Sequence, residues 1–404
     1  MKRADNGQSR RGFLADAGKT LAGLSVVSSV APLAASYQGQ KPAPTAKPAA
    51  AAQKPVASQV PRAPVSAWRI DPSWPKHPDP KNIWAGCPEV KVDSKGQVWV
   101  TTRRYPAVEV YDINGNFIKA WDSPKLFNDN HSTIYLNPKT APNLHYMRFD
   151  SAGNLWITDT ARHTVRKCDP DGNVLLTLGV PDEPGADNAH FNRPAGVDVG
   201  PAGVFVADGY GNRRVVHYSM DGKFIKTWGK QGIAPGEFIL PHDVAHDSKG
   251  RLYVADRLNE RIQIFDYEGK LLDIWRDLVM PWAIHITPKD DIWVGGAIVH
   301  DRANVLRNVN DTPSQVIVRF DTAGRIHQMQ AFYVGVTDTL QYATGKRDLV
   351  IPGADRPGDQ NVLHGMDFDS KNNLYLAQTY GMHLVQKYVP VEDMTTTDAK
   401  GQPL

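Results

Sequence analysis

The sequence predicts an all-β fold, a six-bladed β-propeller. Two observations carry this. Self-similar segments recur at about 40–50 residues, the period of propeller blades. Each copy holds three or four short β-branched or aromatic runs, separated by Gly, Asn or Asp turns. The chain has 404 residues, 41% hydrophobic and 22% charged, the balance of a globular domain with a core. The net charge of +3 and the scattered Lys and Arg argue against a nucleic-acid surface.

Residues 1–35 form the first element. Ser9-Arg10-Arg11-Gly12-Phe13-Leu14 follows a basic start and precedes an Ala-rich apolar stretch. This pattern resembles a twin-arginine export signal and implies the export machinery as a partner and a periplasmic or secreted destination. Asp16 and Lys19 interrupt the apolar stretch, which is too short for a stable membrane span. Residues 36–66, rich in Pro, Ala, Lys and Gln, read as a flexible linker.

Residues 67–390 are expected to form the propeller, with blade copies visible from residue 83 onward. The copies begin near Pro88, Asn143, Arg193, Leu240, Pro281 and Val362, the fifth interrupted by an insertion near 297–313. In three copies an Asp closes the second strand and an Arg follows: Asp159 with Arg166, Asp208 with Arg213 or Arg214, and Asp256 with Arg261. That spacing resembles the NHL repeat, and the pair is expected to tie the turn to the third strand. Residues 391–404 read as a polar tail. Cys87 and Cys168 form no C-x-x-C motif; one disulfide after export is open to them, and sequence does not decide it.

The repeat brings chemistry to one rim. Where the first strand begins stand His145, His242 and His364, in blades two, four and six. The equivalents in blades three and five are Ala195 and Trp282. Alternate blades of a six-fold ring are about 120° apart, so three imidazoles point at one spot on the axis. Three His nitrogens with one open position suit zinc. His163, His217, His246 and His285 lie elsewhere in the repeat and read as structural. The second strand returns to the same rim and ends at Arg103, Thr160, Tyr210 and Arg257. His242 to Arg257 is 15 residues (257 − 242), and so is Ala195 to Tyr210 (210 − 195). Two arginines beside a metal suit an anionic substrate, and a phenol beside them is a plausible base.

With these residues in place, "LPHDVA…YVADRLNERIQIF", "VADGYGNRRVVHY" and "HFNRPAGVDV" are similar to the peptidyl-α-hydroxyglycine α-amidating lyase family. The resemblance covers roughly residues 83–390. It implies zinc on His145, His242 and His364, a Tyr210 base, and active-site arginines at Arg257 and Arg103, the last with Arg104 beside it. The implied reaction cleaves the N–C bond of an N-(α-hydroxyalkyl) amide to an amide and glyoxylate, so the expected partner is a small or peptidic carbinolamide. A structural calcium would use the carbonyls of Val90 and Met147. However, Gly365 stands where the family has an Asp ligand, and Gly211 stands where it has a cysteine beside the tyrosine. Two rival readings remain, a non-enzymatic NHL scaffold and a propeller hydrolase such as a calcium-dependent lactonase. The latter favours carboxylate and amide oxygens over imidazoles.

Overall fold

The computed structural model describes residues 67–78, 86–103, 106–121, 143–276, 279–297, 314–333, 363–379 and 385–391. The export signal, the linker, Arg104, the insertion after residue 297 and the polar tail lie outside them, except that the tail's first residue, Val391, is the last of a strand. Everything below concerns the unit spanning Pro61–Leu404.

The described strands form six four-stranded antiparallel sheets. Blade one is β2 (Val90–Val92), β3 (Val98–Thr101), β4 (Val108–Tyr111) and β5 (Phe117–Trp121). Blade two is β6 (Leu144–Phe149) to β9 (Val174–Leu178), blade three β10 (Gly196–Gly200) to β13 (Phe224–Trp228), and blade four β14 (Pro241–His246) to β17 (Leu271–Arg276). Blade five is β18 (Met280–Ile286) to β21 (Ile326–Tyr333). Blade six contributes β22 (Leu363–Phe368), β23 (Leu374–Gln378) and β24 (Val385–Val391). Its fourth strand is β1 (Ala67–Ile70), paired antiparallel to β24 from Ala67 opposite Val391 to Ile70 opposite Tyr388. The start of the propeller thus closes its last blade. Trp68 fixes this strand by packing on Trp293, with ring centroids 5.6 Å apart, and by donating its indole N–H to the Asn372 carbonyl.

The strands form where β-branched and aromatic residues alternate, and the hairpins turn on a repeated device. In blade four, Asp247 Oδ1 accepts the N–H groups of Lys249 and Arg251, and Gly250 closes the turn at φ +78°. That left-handed conformation costs glycine nothing. Asn372 takes the same place in blade six at φ +58°.

Each buried apolar cluster sits mainly at a seam between neighbouring blades. One joins blades four and five around Trp275, Ile284 and Phe320, and another joins blades one and two around Trp99, Leu144 and Cys168. Blades are therefore glued face to face by apolar burial, the main driving force for folding. Cys87 lies in the seam between blades six and one, away from Cys168, and both are thiols. The first strands β2, β6, β10, β14, β18 and β22 pack in a closed ring around the axis. No helix among the described residues is long and apolar enough to cross a membrane.

The recurring Asp and Arg of the repeats find their structural role in blades three and four. Arg261 Nε donates to Asp256 at 2.8 Å, and its other nitrogens donate to the carbonyls of Ile233, Ala234 and Glu237. In blade three it is Arg214, not Arg213, that pairs with Asp208, at 3.0 Å. Arg214 also binds the carbonyls of Ala186, Asp187 and His190. In these two blades the pair anchors the entering loop immediately before the rim residues, whereas in blade two the bond to Asp159 comes from the Arg162 backbone N–H, at 3.3 Å.

Candidate metal centre

The first strands converge on the axis, and what they present there depends on a local irregularity. In blades two, four, five and six the ladder between first and second strands shifts register at the rim. The skipped residues include His145, His242, Trp282 and His364. Such bulges re-aim side chains, and they are common beside functional sites. They let His145 and Tyr146, and likewise His242 and Asp243, both project toward the channel.

His145, His242 and His364 meet as a cluster with one ligand nitrogen from each within 4.8 Å of the others. They lie not on an exposed rim but fully inside, each 1% exposed or less. Each Nδ1 is committed to a backbone carbonyl of the following blade. His145 reaches Ala195 at 3.0 Å, His242 reaches Trp282 at 2.8 Å, and His364 reaches Pro88 at 2.8 Å. A carbonyl only accepts, so each Nδ1 carries the proton and each Nε2 presents a lone pair to the axis. The odd blades, which lack a histidine, thus supply the carbonyls that orient the three in the even blades.

The lone pairs have too few donors. His145 Nε2 lies 3.1 Å from His364 Nε2, two acceptors face to face. The Tyr210 hydroxyl lies 3.0 Å from Nε2 of both His145 and His242, and it has one proton to give. Burial first, and the Arg103 charge, hold all three histidines well below the ordinary range; neighbouring imidazoles add to this at His242 and His364, and Arg257 at His145 and His242. They are therefore neutral at physiological pH. Three neutral, buried, convergent lone pairs suit a metal ion, and the Nδ1–carbonyl bonds are the outer contacts such ligands need.

Below the histidines, Tyr146 crosses the channel from blade two into the cluster between blades five and six. Its hydroxyl lies 2.5 Å from the Trp282 carbonyl and 2.7 Å from the His364 carbonyl, and its ring stacks on His364.

Around the cluster stand the ends of the second strands. Arg103, Thr160, Tyr210 and Arg257 occupy one register position. Their backbone N–H groups bond the carbonyls of Gly86, Asn143, Arg193 and Leu240 respectively, each two residues before the axis position of its blade. The Arg257 guanidinium lies over Trp282, 3.2 Å from the ring centroid. Arg103 is 8% exposed, and its charge acts on all three histidines. Val90 and Met147 lie in β2 and β6, two residues beyond the axis positions Pro88 and His145.

Sequence reasoning did not single out three neighbours of the centre. Tyr146 is one, and Trp282 as a platform for Arg257 is another. The third is Arg193, whose guanidinium donates to the Tyr210 carbonyl at 3.3 Å and sits 5.9 Å from its ring centroid. The φ of +57° at Arg193 leaves no mark in the sequence. Among the described residues, Arg103 Nε, Trp282 Nε1 and Asn143 Oδ1 are buried without a hydrogen-bond partner. Unmet buried polar groups carry a cost.

Comparison with known proteins places the fold and suggests the chemistry. Residues 238–265 match the NHL repeat family. The chain is 29% identical over 345 residues to NHL repeat-containing protein 3 of Homo sapiens, covering 80% of this chain and 84% of that protein. It is 33% identical over 231 residues to the peptidylglycine alpha-amidating monooxygenase of Rattus norvegicus, covering 50% of this chain and 24% of that one. It is 32% identical over 206 residues to a probable peptidyl-alpha-hydroxyglycine alpha-amidating lyase of Caenorhabditis elegans, covering 48% of this chain and 56% of that one. The match thus spans about a quarter of the rat protein and about half of the worm protein.

Proposed function

We propose that this NHL-repeat six-bladed β-propeller is a zinc-dependent carbon–nitrogen lyase. Its substrate would be an N-(α-hydroxyalkyl) amide bearing a carboxylate, and its products an amide and glyoxylate. The single observation behind this is the convergence of three neutral Nε2 lone pairs, each Nδ1 proton already given away. The His145–His364 nitrogen separation of 3.1 Å lies near the roughly 3.3 Å expected of two ligands at about 2.0–2.1 Å on a tetrahedral ion. Similarity to proteins named for the amidating reaction supports the class.

A zinc ion held there supplies Lewis acidity, lowering the pKa of an oxygen it polarises. The chain's own residues do the rest. Tyr210, whose oxygen lies at the metal-facing nitrogens, would act as the phenolate that a cation held there stabilises, and as phenolate it takes the substrate hydroxyl proton. The C–N bond then breaks with its electron pair on nitrogen, the C–O bond becomes a carbonyl, and the proton returns from Tyr210 to the leaving amide nitrogen. Arg257, flattened on Trp282, and Arg103 bind the carboxylate and hold it against the site. Burial of the whole layer excludes water and strengthens these contacts.

The test is glyoxylate release from an α-hydroxyglycine amide, with and without chelator, beside metal analysis. One zinc per chain and chelator-sensitive release are expected. A metal-free protein that releases none overturns the reading and leaves the scaffold alternative. We also propose that residues 1–35 direct the chain through the twin-arginine route to the periplasm or beyond. Loss of export on Arg10→Lys with Arg11→Lys is the expected outcome.

A further inference from the structure

The family resemblance implies a calcium ion on the axis near the carbonyls of Val90 and Met147. The side chains found there do not fit one. Arg148 reaches from β6 back along the channel into that position. Its Nη1 donates to Glu89 Oε2 and to the Met147 carbonyl, both at 2.9 Å. Its Nη2 donates to both oxygens of Asp243 at 3.0 Å and to the Ile284 carbonyl at 3.2 Å. Lys91 takes a third carbonyl of the same layer, that of Met366, at 2.7 Å, and lies 3.4 Å from Glu89. Two carboxylates, Glu89 and Asp243, thus face two cations, Arg148 and Lys91. Burial works against the Arg148 charge, but Asp243 and Glu89 more than offset it and hold its pKa above the ordinary value.

Gly365 belongs to the same arrangement. A Cβ there would collide with the Glu89 carboxylate and stand 2.8 Å from the Pro88 carbonyl. The position cannot carry an aspartate while Glu89 occupies the axis. A calcium ion takes six to eight oxygens. Here the Met147, Ile284 and Met366 carbonyls already accept from nitrogen cations, and the two carboxylates are neutralised. A calcium ion would also bring two positive charges up against those of Arg148 and Lys91 in a buried layer, which is costly.

We propose that the Arg148 guanidinium, clamped between Glu89 and Asp243, is this chain's own axial cation, so that the Val90 and Met147 carbonyls hold no calcium. It joins blade two to blades one, four and five across the channel, the cross-linking a bound ion would otherwise provide. The inference goes beyond the lyase reading and is independent of it, because its readout is melting and metal content rather than turnover.

The experiment uses the purified chain, stripped with a calcium-selective chelator and then melted with and without millimolar calcium. No retained calcium and a Tm unchanged within about 1 °C are expected. Stoichiometric calcium in the purified protein, or a rise of several degrees on adding it, overturns the proposal. Arg148→Met is the second arm. It leaves two carboxylates facing one another and is expected to lower Tm by about 5 °C or more, with calcium now restoring part of the loss. A variant that melts with the wild type also overturns it. Should the variant not fold, the wild-type arm decides alone.

Discussion

Tyr210 Oη stands 3.0 Å from Nε2 of His242, a nitrogen whose proton has already been excluded by the bond from Nδ1 to the Trp282 carbonyl. The hydroxyl therefore faces the lone pairs that converge on the axis, with its backbone fixed from behind by Arg193. Tyr210→Phe keeps the ring and removes only the proton carrier. Turnover is expected to fall about 10²- to 10⁴-fold, the range of a lost general base, with metal content unchanged. Measuring both on one preparation separates the base from a ligand. A variant with normal turnover would remove Tyr210 from the mechanism.

His242→Ala is expected to lose the metal and the activity while keeping the propeller. The Trp282 carbonyl that His242 serves has a second partner in Tyr146 Oη at 2.5 Å, so the backbone is not stranded. Far-ultraviolet circular dichroism with metal analysis checks this. Full lyase activity in the metal-free variant would sink the zinc proposal.

Arg257→Lys preserves charge but loses the flat face that stacks on Trp282. The ammonium cannot grip a carboxylate bidentately, so KM is expected to rise about tenfold or more, with metal content intact. A substrate whose carboxylate is amidated should show little difference between the two proteins. An equal loss on both substrates would mean that Arg257 does not bind the carboxylate.

The blades were legible because each strand pairs with its neighbour in sequence, and the turn chemistry is local. The three histidines were legible for a different reason: a repeat converts position in the chain into angle about an axis, so recurrence in alternate blades implies convergence. What the repeat does not encode was missed. Strand β1 pairs with β24 across nearly the whole propeller, and nothing in Ala67–Ile70 names that partner. The shifts that turn both His145 and Tyr146 inward are register events between two strands, not a residue pattern. Arg148 reads as an ordinary strand residue until the ring closes and brings Glu89 and Asp243 to it from two other blades. The choice between Arg213 and Arg214 likewise needed the pleat, which points Arg214 at Asp208.

At the other end of the channel, His246 Nδ1 lies 2.6 Å from Asp198 Oδ2. This mouth, a cavity of about 410 Å³, also carries Lys91, Arg148, Asp247, Asp290 and the His285–Asp367 pair. Asp198 raises the His246 pKa; burial opposes it, Asp247 adds to it and Arg148 subtracts from it. The folded pKa thus lies above the unfolded value of about 6.5, and the protonated form favours the fold. Its contribution is complete below the unfolded pKa and is lost as pH rises through the folded one. His246→Gln is therefore expected to cost about 1 kcal/mol at pH 5.5, the scale of a partly exposed charge pair, and much less at pH 8.5. Urea melts of both proteins at the two pH values measure it, and taking the difference cancels titrations the two share. A cost that is equal at both, or larger at pH 8.5, would show that His246 serves by packing rather than by charge.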